Sequence, residues 1–409
     1  MHYRTRFAEP RLREMARHFR VVLVTGARQV GKSTLLGRVF PGYRTFTFDP
    51  DQDLYGARED PDLFLDNFPA PLVLDEIQFA PELLPAIKRR VDTEAGVGRY
   101  ILSGSQNLAV LRNVSESLAG RVGILHLEGM APGEIAERPD RPSWLAAWLD
   151  DPQAFIDLVS ETPPRATLPE TLWRGSLPGL LDFPESLVPV YLRSYTQTYL
   201  ERDVRTMGDI RSLADFRRLL GLNAALTAQE INDSQLGREI GISPPTARTW
   251  REILVHTHQW RELPPYHGNT LKRLSGRRKG HLTDTGLACW LQRIPSPDAV
   301  PVSPHFGALF ETWVVGTVHK EFIHLGTPPA PHHWRTRGGA EVDLVLDQGG
   351  RLYPIEVKAG TRLSGHDLRG LAAFRETYGD AVGPALVVYA GQTVYRPSRD
   401  VVAVPWRCL

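Results

Sequence analysis

Only six of the chain's 48 Lys and Arg residues are Lys, at positions 32, 88, 272, 279, 320 and 358. Two of these stand where an arginine would fail. Lys32 lies in "GARQVGKST", Gly26 to Thr34, which fits G-x-x-x-x-G-K-[ST] between the apolar run "VVLVT" and the helical "STLLGRVF". In that context the loop N–H groups of Gly26, Ala27, Arg28, Gln29, Val30 and Gly31 and the helix start through Thr34 would cradle the phosphates of ATP. Lys32 would reach the β and γ oxygens, and Ser33 would hold Mg²⁺. Lys358 follows Glu356 by two residues in "LYPIEVKAG", so on a strand their side chains share a face while Ile355 and Val357 take the other. If Gly349 and Gly350 form a two-residue hairpin loop, Gln348 pairs with Arg351, and counting outward sets Asp343 opposite Glu356. Two carboxylates and an amine then converge. They could hold Mg²⁺ or Mn²⁺ against a scissile phosphate, with Lys358 positioning water or stabilising the oxyanion. A compact ammonium suits such a crowded site, whereas a planar guanidinium does not. The plainer alternative is a salt-bridged structural cluster.

A second pair of acids supports hydrolysis at the first site. "PLVLDEIQ" ends an apolar strand in Asp75, placed to orient Mg²⁺, and Glu76, free to polarise the attacking water. "RYILSGSQ" ends a further strand in hydroxyls, where Ser103 or Ser105 could sense the γ-phosphate. Arg121, in "SLAGR", is a candidate finger delivered to a neighbouring subunit's nucleotide, which would require a homo-oligomer such as a ring. Arg202 and Arg205 in "YLERDVR" are its rivals, and a surface or solvated-helix role is the alternative for all three.

These residues must be positioned by several elements. The 409 residues, 42% hydrophobic and 23% charged, suffice for two to four domains. The basic N-terminus leads into a five-residue apolar run too short for a signal core or a membrane span, so a cytoplasmic protein without a membrane partner is expected. Cys289 and Cys408 stand far apart, without the spacing of a disulfide framework or zinc site. The net charge of +1 neither favours nor excludes nucleic acid. Short apolar strands alternating with helical segments over residues 1–135 read as a parallel α/β core. Residues 136–226 read as a helical extension and 227–294 as a helix-turn-helix with strands. Beyond a Pro/Ser linker, 300–409 opens with an amphipathic helix carrying Glu311 and continues as strands, a helix and another strand.

The series "GARQVGKST", "PLVLDEIQ", "ILSGSQ", "SLAGR", "YLERDVR", "KRLSGRRKGHLTDTGLACWL", "FETWVV", "HHWRTRGGAEVDLVL" and "YPIEVKAG" resembles the prokaryotic AAA-type ATPases that carry a C-terminal DUF4143 domain. The resemblance spans about residues 18 to 375. It implies a multidomain α/β protein: an AAA-like P-loop core, a helical extension, a winged helix-turn-helix and a restriction-endonuclease-like C-terminal domain. In that last fold Asp343, Glu356 and Lys358 match the PD-(D/E)xK pattern, and Glu311 matches the additional acidic ligand on the first helix.

The helix-turn-helix reading rests on residues as well. A helix bearing Leu236 and Ile240 turns at Gly241, and Ser243 with Pro244 and Pro245 starts a second helix. Thr246, Arg248, Thr249 and Arg251 would face a major groove. Lys272, Arg273, Arg277, Arg278 and Lys279 would form a basic wing on phosphates of DNA or RNA. Docking to protein alone is the competing use of such a module. The expectation is therefore an ATP-hydrolysing protein that binds DNA and cleaves it with a metal-dependent C-terminal domain. The alternatives are an ATP-driven DNA-binding switch with a non-catalytic C-terminal fold, and a protein-remodelling or signalling ATPase.

Overall fold

Runs of β-branched residues alternating with helices place the first five strands in one parallel sheet. The computed structural model describes residues 2–105, 118–159, 166–199, 204, 210, 212–269 and 276–409. Strands β1 (Val21–Thr25), β2 (Arg44–Thr47), β3 (Leu72–Asp75), β4 (Tyr100–Gly104) and β5 (Val122–His126) lie in the order β2-β3-β4-β1-β5. All their pairings are parallel. β1 is buried along its whole length, as a central parallel strand covered on both faces must be. This order sets β4 between β1 and β3, so that Ser103 lies between the residues after β1 and the acids ending β3.

The middle of the chain forms a small antiparallel sheet of β6 (Gln229–Glu230), β7 (Trp260–Leu263) and β8 (Lys279–Leu282), in the order β6-β8-β7. Between β6 and β7 lie two helices, Asp233–Ile240 and Pro244–His256. Gly241 adopts a left-handed conformation (φ 86°) that ends the first, and the Ser243 side chain accepts a hydrogen bond from Thr246 N at 3.3 Å to start the second.

The third sheet is mixed. β9 (Ala330–Arg335), β10 (Glu341–Gln348), β11 (Arg351–Lys358), β12 (Ala385–Tyr389), β13 (Tyr395–Ser398) and β14 (Val401–Pro405) run in the order β13-β14-β12-β11-β10-β9. The β10–β11 hairpin has the counted register, from Gln348↔Arg351 to Leu344↔Ile355. Gly349 and Gly350 turn it with φ of 63° and 88°, the double left-handed geometry of a type I′ turn.

Two expectations about this part fail. The helix Phe306–Glu321 is not one-sided: every residue from Thr312 to Val318 is buried, because it packs against β8, β11 and helices of the extension. The Pro/Ser segment before it is not a free linker either. Val300 is fully buried, and Trp173 Nε1 donates to Ile294 O at 3.0 Å. One hydrophobic core runs from Ala8 to Leu409, so the C-terminal sheet is tied to the rest by packing. Among the described residues no helix is long and apolar enough to cross a membrane.

Candidate active site and the C-terminal acid cluster

The phosphate loop forms where β1 passes into the helix Lys32–Val39. Gly26, at φ 155°, comes so close to β5 that a Cβ there would lie 2.1 Å from Leu127 O, and Gly31 is left-handed at φ 95°. These two positions require glycine. Lys32 is buried, and its ammonium donates to Gly26 O at 3.0 Å and Ala27 O at 2.9 Å. Those acceptors are neutral carbonyls that a polyphosphate could replace.

The acids after β3 are held by the serines of β4 and its end. Ser103 donates its hydroxyl to Asp75 Oδ1 and accepts from Glu76 N at 3.4 Å. Glu76 takes a left-handed backbone (φ 55°, ψ 46°), rare for a side chain of this kind and a frequent mark of functional sites. Its Oε2 accepts from the Gln78 amide and from the Ser105 hydroxyl at 3.4 Å. The two serines thus divide their work: Ser103 meets both acids and Ser105 meets Glu76. Gln78 was not anticipated, although its place two residues beyond Glu76 was a usable signal.

A cavity of about 470 Å³ opens beside the loop, lined by Gln29, Lys32, Ser33 and Glu76 together with Tyr191 and Tyr195. The tyrosines come from the helix Val188–Tyr199, four residues apart and so on one face. Tyr191 donates to Gln29 Oε1, and burial pushes its hydroxyl up to about 12. Nothing in the sequence aims this helix at the loop. The donor set fits a magnesium nucleotide: Lys32 and the loop amides for phosphates, and Ser33 and Asp75 for the ion.

Behind the loop the middle module makes its own contact. His258, at φ 59°, hydrogen-bonds through Nε2 to Thr25 Oγ1 at 3.1 Å and packs on His126 with ring centroids 4.4 Å apart. Burial, then the charge of His126, drives its pKa well below the ordinary histidine value, so the neutral ring is the stable form. Arg261 of β7 pairs with Glu128. The last residue of β1 is thereby joined to the module that carries the helices Asp233–Ile240 and Pro244–His256.

Arg121 lies elsewhere. Its carbonyl accepts from Val21 N at 3.4 Å, at the end of β1 opposite the phosphate loop, and its guanidinium forks onto Asp92, with Nη2–Oδ2 at 3.0 Å. From there it is turned away from its own phosphate loop. Arg202 and Arg205 fall outside the described residues, as do Lys272 and Arg273.

The C-terminal acids gather around an unexpected residue. Asp343 sits where β10 slips register against β9, two residues facing one, a bulge of the kind that re-aims a side chain. Its Oδ2 accepts from Val357 N at 2.9 Å. Lys358 Nζ lies 2.5 Å from Glu356 Oε1, while Glu356 Oε2 is buried without a hydrogen-bond partner. Between Glu311 and Asp343 stands the ammonium of Lys279, at 2.6 Å from Glu311 Oε1 and 3.3 Å from Asp343 Oδ1. Burial would lower the Lys279 pKa, but Glu311 and Asp343 reverse this and leave it raised. Burial, then the charge of Asp343, lifts Glu356 to about 8 and Glu311 well above the carboxylate range.

Lys279 is therefore not part of an exposed basic wing; it is buried in the C-terminal site. The metal set Glu311, Asp343 and Glu356 is also not realised as expected: among the described residues no three His, Cys, Asp or Glu side chains group so as to hold a metal ion. As placed, the donors fit an ammonium and not a divalent ion. On the second helix Arg248 and Thr249 are exposed. Arg251 is not available to a groove, because it is buried in ion pairs with Asp233, at 2.9 Å, and Glu262.

Three families match the chain: an AAA domain over residues 18–136, a domain of unknown function (DUF8612) over 165–298, and a domain of unknown function (DUF4143) over 306–409. An uncharacterized protein of Mycobacterium tuberculosis, Rv2008c, is 29% identical over 402 residues, which is 98% of this chain and 83% of that protein. Among solved structures, the Walker-type ATPase PABY2304 of Pyrococcus abyssi is 16% identical with a TM-score of 0.43, covering 69% of this chain and 94% of its own. The RuvB Holliday junction branch migration motor of Thermotoga maritima is 17% identical with a TM-score of 0.28, covering 63% of this chain and 85% of its own. The chain thus carries an AAA domain at its start and a DUF4143 domain at its end.

Proposed function

We propose that the protein hydrolyses ATP and that the cycle drives a winged-helix module which contacts DNA. The observation that carries this reading is the join behind the phosphate loop: Thr25, which ends β1, bonds His258, which follows the helix Pro244–His256. Any shift of the loop on phosphate binding is felt at the base of the helix that exposes Thr249 and Arg248. In the nucleotide site, Lys32 and the loop amides would bind the phosphates, and Ser33 and Asp75 would hold a Mg²⁺ ion that supplies charge neutralisation. Glu76, held by Gln78 and Ser105, accepts a hydrogen bond from the attacking water and orients it. Arg121 serves a neighbouring subunit in a homo-oligomer, since it lies at the far end of β1 from its own loop.

A second reading, metal-dependent cleavage by the C-terminal fold, draws on the bulge that aims Asp343 and on the unpartnered Glu356 Oε2 beside Lys358. The Lys279 ammonium between Glu311 and Asp343 favours the switch over the nuclease. The test is one assay set on the purified chain with labelled duplex, with and without ATP and Mg²⁺ or Mn²⁺. DNA affinity that changes with the nucleotide, without strand cleavage, supports the switch. Cleavage lost in Asp343→Asn establishes the nuclease, and ATP turnover indifferent to DNA removes nucleic acid from the cycle. Turnover regained on mixing Arg121→Ala with Lys32→Ala protein places the arginine in trans; a failure at every ratio removes it from that role.

A further inference from the structure

The acid cluster of the C-terminal sheet is completed from outside it. Lys279 opens β8 in the middle of the three-stranded sheet, and its direct partner across β6–β8 is Glu230. The middle module is fastened here by other bonds as well. Thr227 Oγ1 and His281 Nδ1 meet Thr312 Oγ1 at 2.8 and 3.2 Å, and Tyr266 N donates to His333 O at 2.6 Å. Lys279 is thus held at the mouth of the site by backbone and hydroxyl contacts that do not depend on its charge.

Three carboxylates, Glu311, Asp343 and Glu356, share two ammoniums, Lys279 and Lys358, and Glu356 Oε2 is buried without a hydrogen-bond partner. The Lys279 ammonium fills the space between Glu311 and Asp343, so a divalent ion could draw on that pair of carboxylates only in its place. The two ammoniums differ in what they could do on exchange. Lys358 continues β11 beside Glu356, whereas Lys279 borders a cavity of about 360 Å³ whose walls also carry Glu230 and Glu341. A withdrawn Lys279 side chain would find carboxylates there.

We propose that Lys279 is the resident cation of the C-terminal site, occupying the position between Glu311 and Asp343, and that a divalent ion enters only by displacing it. The middle module then governs that site through one side chain. This rests on the second reading above, that the carboxylates can take a divalent ion at all, and the experiment separates the two. Mn²⁺ binding to the full-length chain is measured by equilibrium dialysis without nucleotide, for the parent, Lys279→Met, and Lys279→Met combined with Asp343→Asn. Lys279→Met should gain an ion held about ten-fold or more tighter than in the parent, and Asp343→Asn should remove it. Equal binding by parent and Lys279→Met, abolished in both by Asp343→Asn, overturns the competition and leaves the metal site standing. Absence of an Asp343-dependent ion from both proteins overturns the metal site itself. Should Lys279→Met fail to fold, the parent supplies the answer through acylation of its lysines followed by peptide mapping. Saturating Mn²⁺ should raise modification of Lys279 several-fold relative to Lys88, and an unchanged ratio overturns displacement.

Discussion

The phosphate loop and the C-terminal cluster each bury a lysine, but surround it with opposite partners. Lys32 rests on the carbonyls of Gly26 and Ala27, whereas Lys279 is clamped by the carboxylates of Glu311 and Asp343. A cation on neutral dipoles keeps most of its attraction for an incoming anion. A cation already facing carboxylates is neutralised and must be displaced before anything else binds. The position between Glu311 and Asp343 is thus closed to a second cation until the Lys279 ammonium moves.

The contrast breaks first at turnover. Glu76→Gln should bind ATP as the parent does and lower its hydrolysis by about 10²–10⁴-fold, the usual scale for losing a general base, while Lys32→Ala should lose nucleotide binding. Asp343→Asn should leave both unchanged; ATP turnover measured beside nucleotide titration decides. Next in size is stability. Lys279→Ala strands buried carboxylates and should cost about 3–5 kcal/mol in urea unfolding. Lys32→Ala, which takes an ammonium from the Gly26 and Ala27 carbonyls, should cost clearly less, and equal costs would contradict the comparison.

A pH profile sharpens it further. The Glu356 carboxyl titrates near 8 in the folded chain against an ordinary 4.5, so the folded form holds a proton that the unfolded form gives up. Its contribution to stability is full below about pH 4.5 and is lost as pH rises to about 8. The titration belongs to the cluster as a whole. Melting temperature should therefore fall over that window in the parent and fall less steeply in Glu356→Gln; parallel profiles would remove Glu356 as the source. The smallest effect is expected on the exposed helix. Arg248→Ala should weaken duplex binding modestly and reduce the slope of log affinity against log salt by about one, as for a single phosphate contact. An unchanged slope would take Arg248 out of the interface.

Much of this was legible from local pattern. The loop spacing around Lys32, the strand ending in Asp75 and Glu76, and the register between Gln348 and Arg351 all follow from chemistry within a few residues. Arg251 and Lys279 were misread for one reason: both lie in polar surroundings that look exposed in the sequence. Each is buried by carboxylates on other elements, Arg251 by Asp233 and Glu262 on its neighbours in the chain and Lys279 by the more distant Glu311 and Asp343. The amphipathic reading of Phe306–Glu321 fails similarly, since a helix covered on all sides shows no polar face to the solvent.

What the sequence determined by itself is the chemistry that short-range geometry controls. A glycine loop turns because only glycine tolerates its φ values, and a two-glycine hairpin sets which residues stand opposite each other. What the tertiary structure alone decided is the partner of each charge. Whether an ammonium meets a carbonyl, a carboxylate or water depends on which module packs against it. That packing is driven by an apolar core spanning the whole chain, and hydrophobic burial is non-directional, so it leaves no local mark beside the residue whose surroundings it fixes.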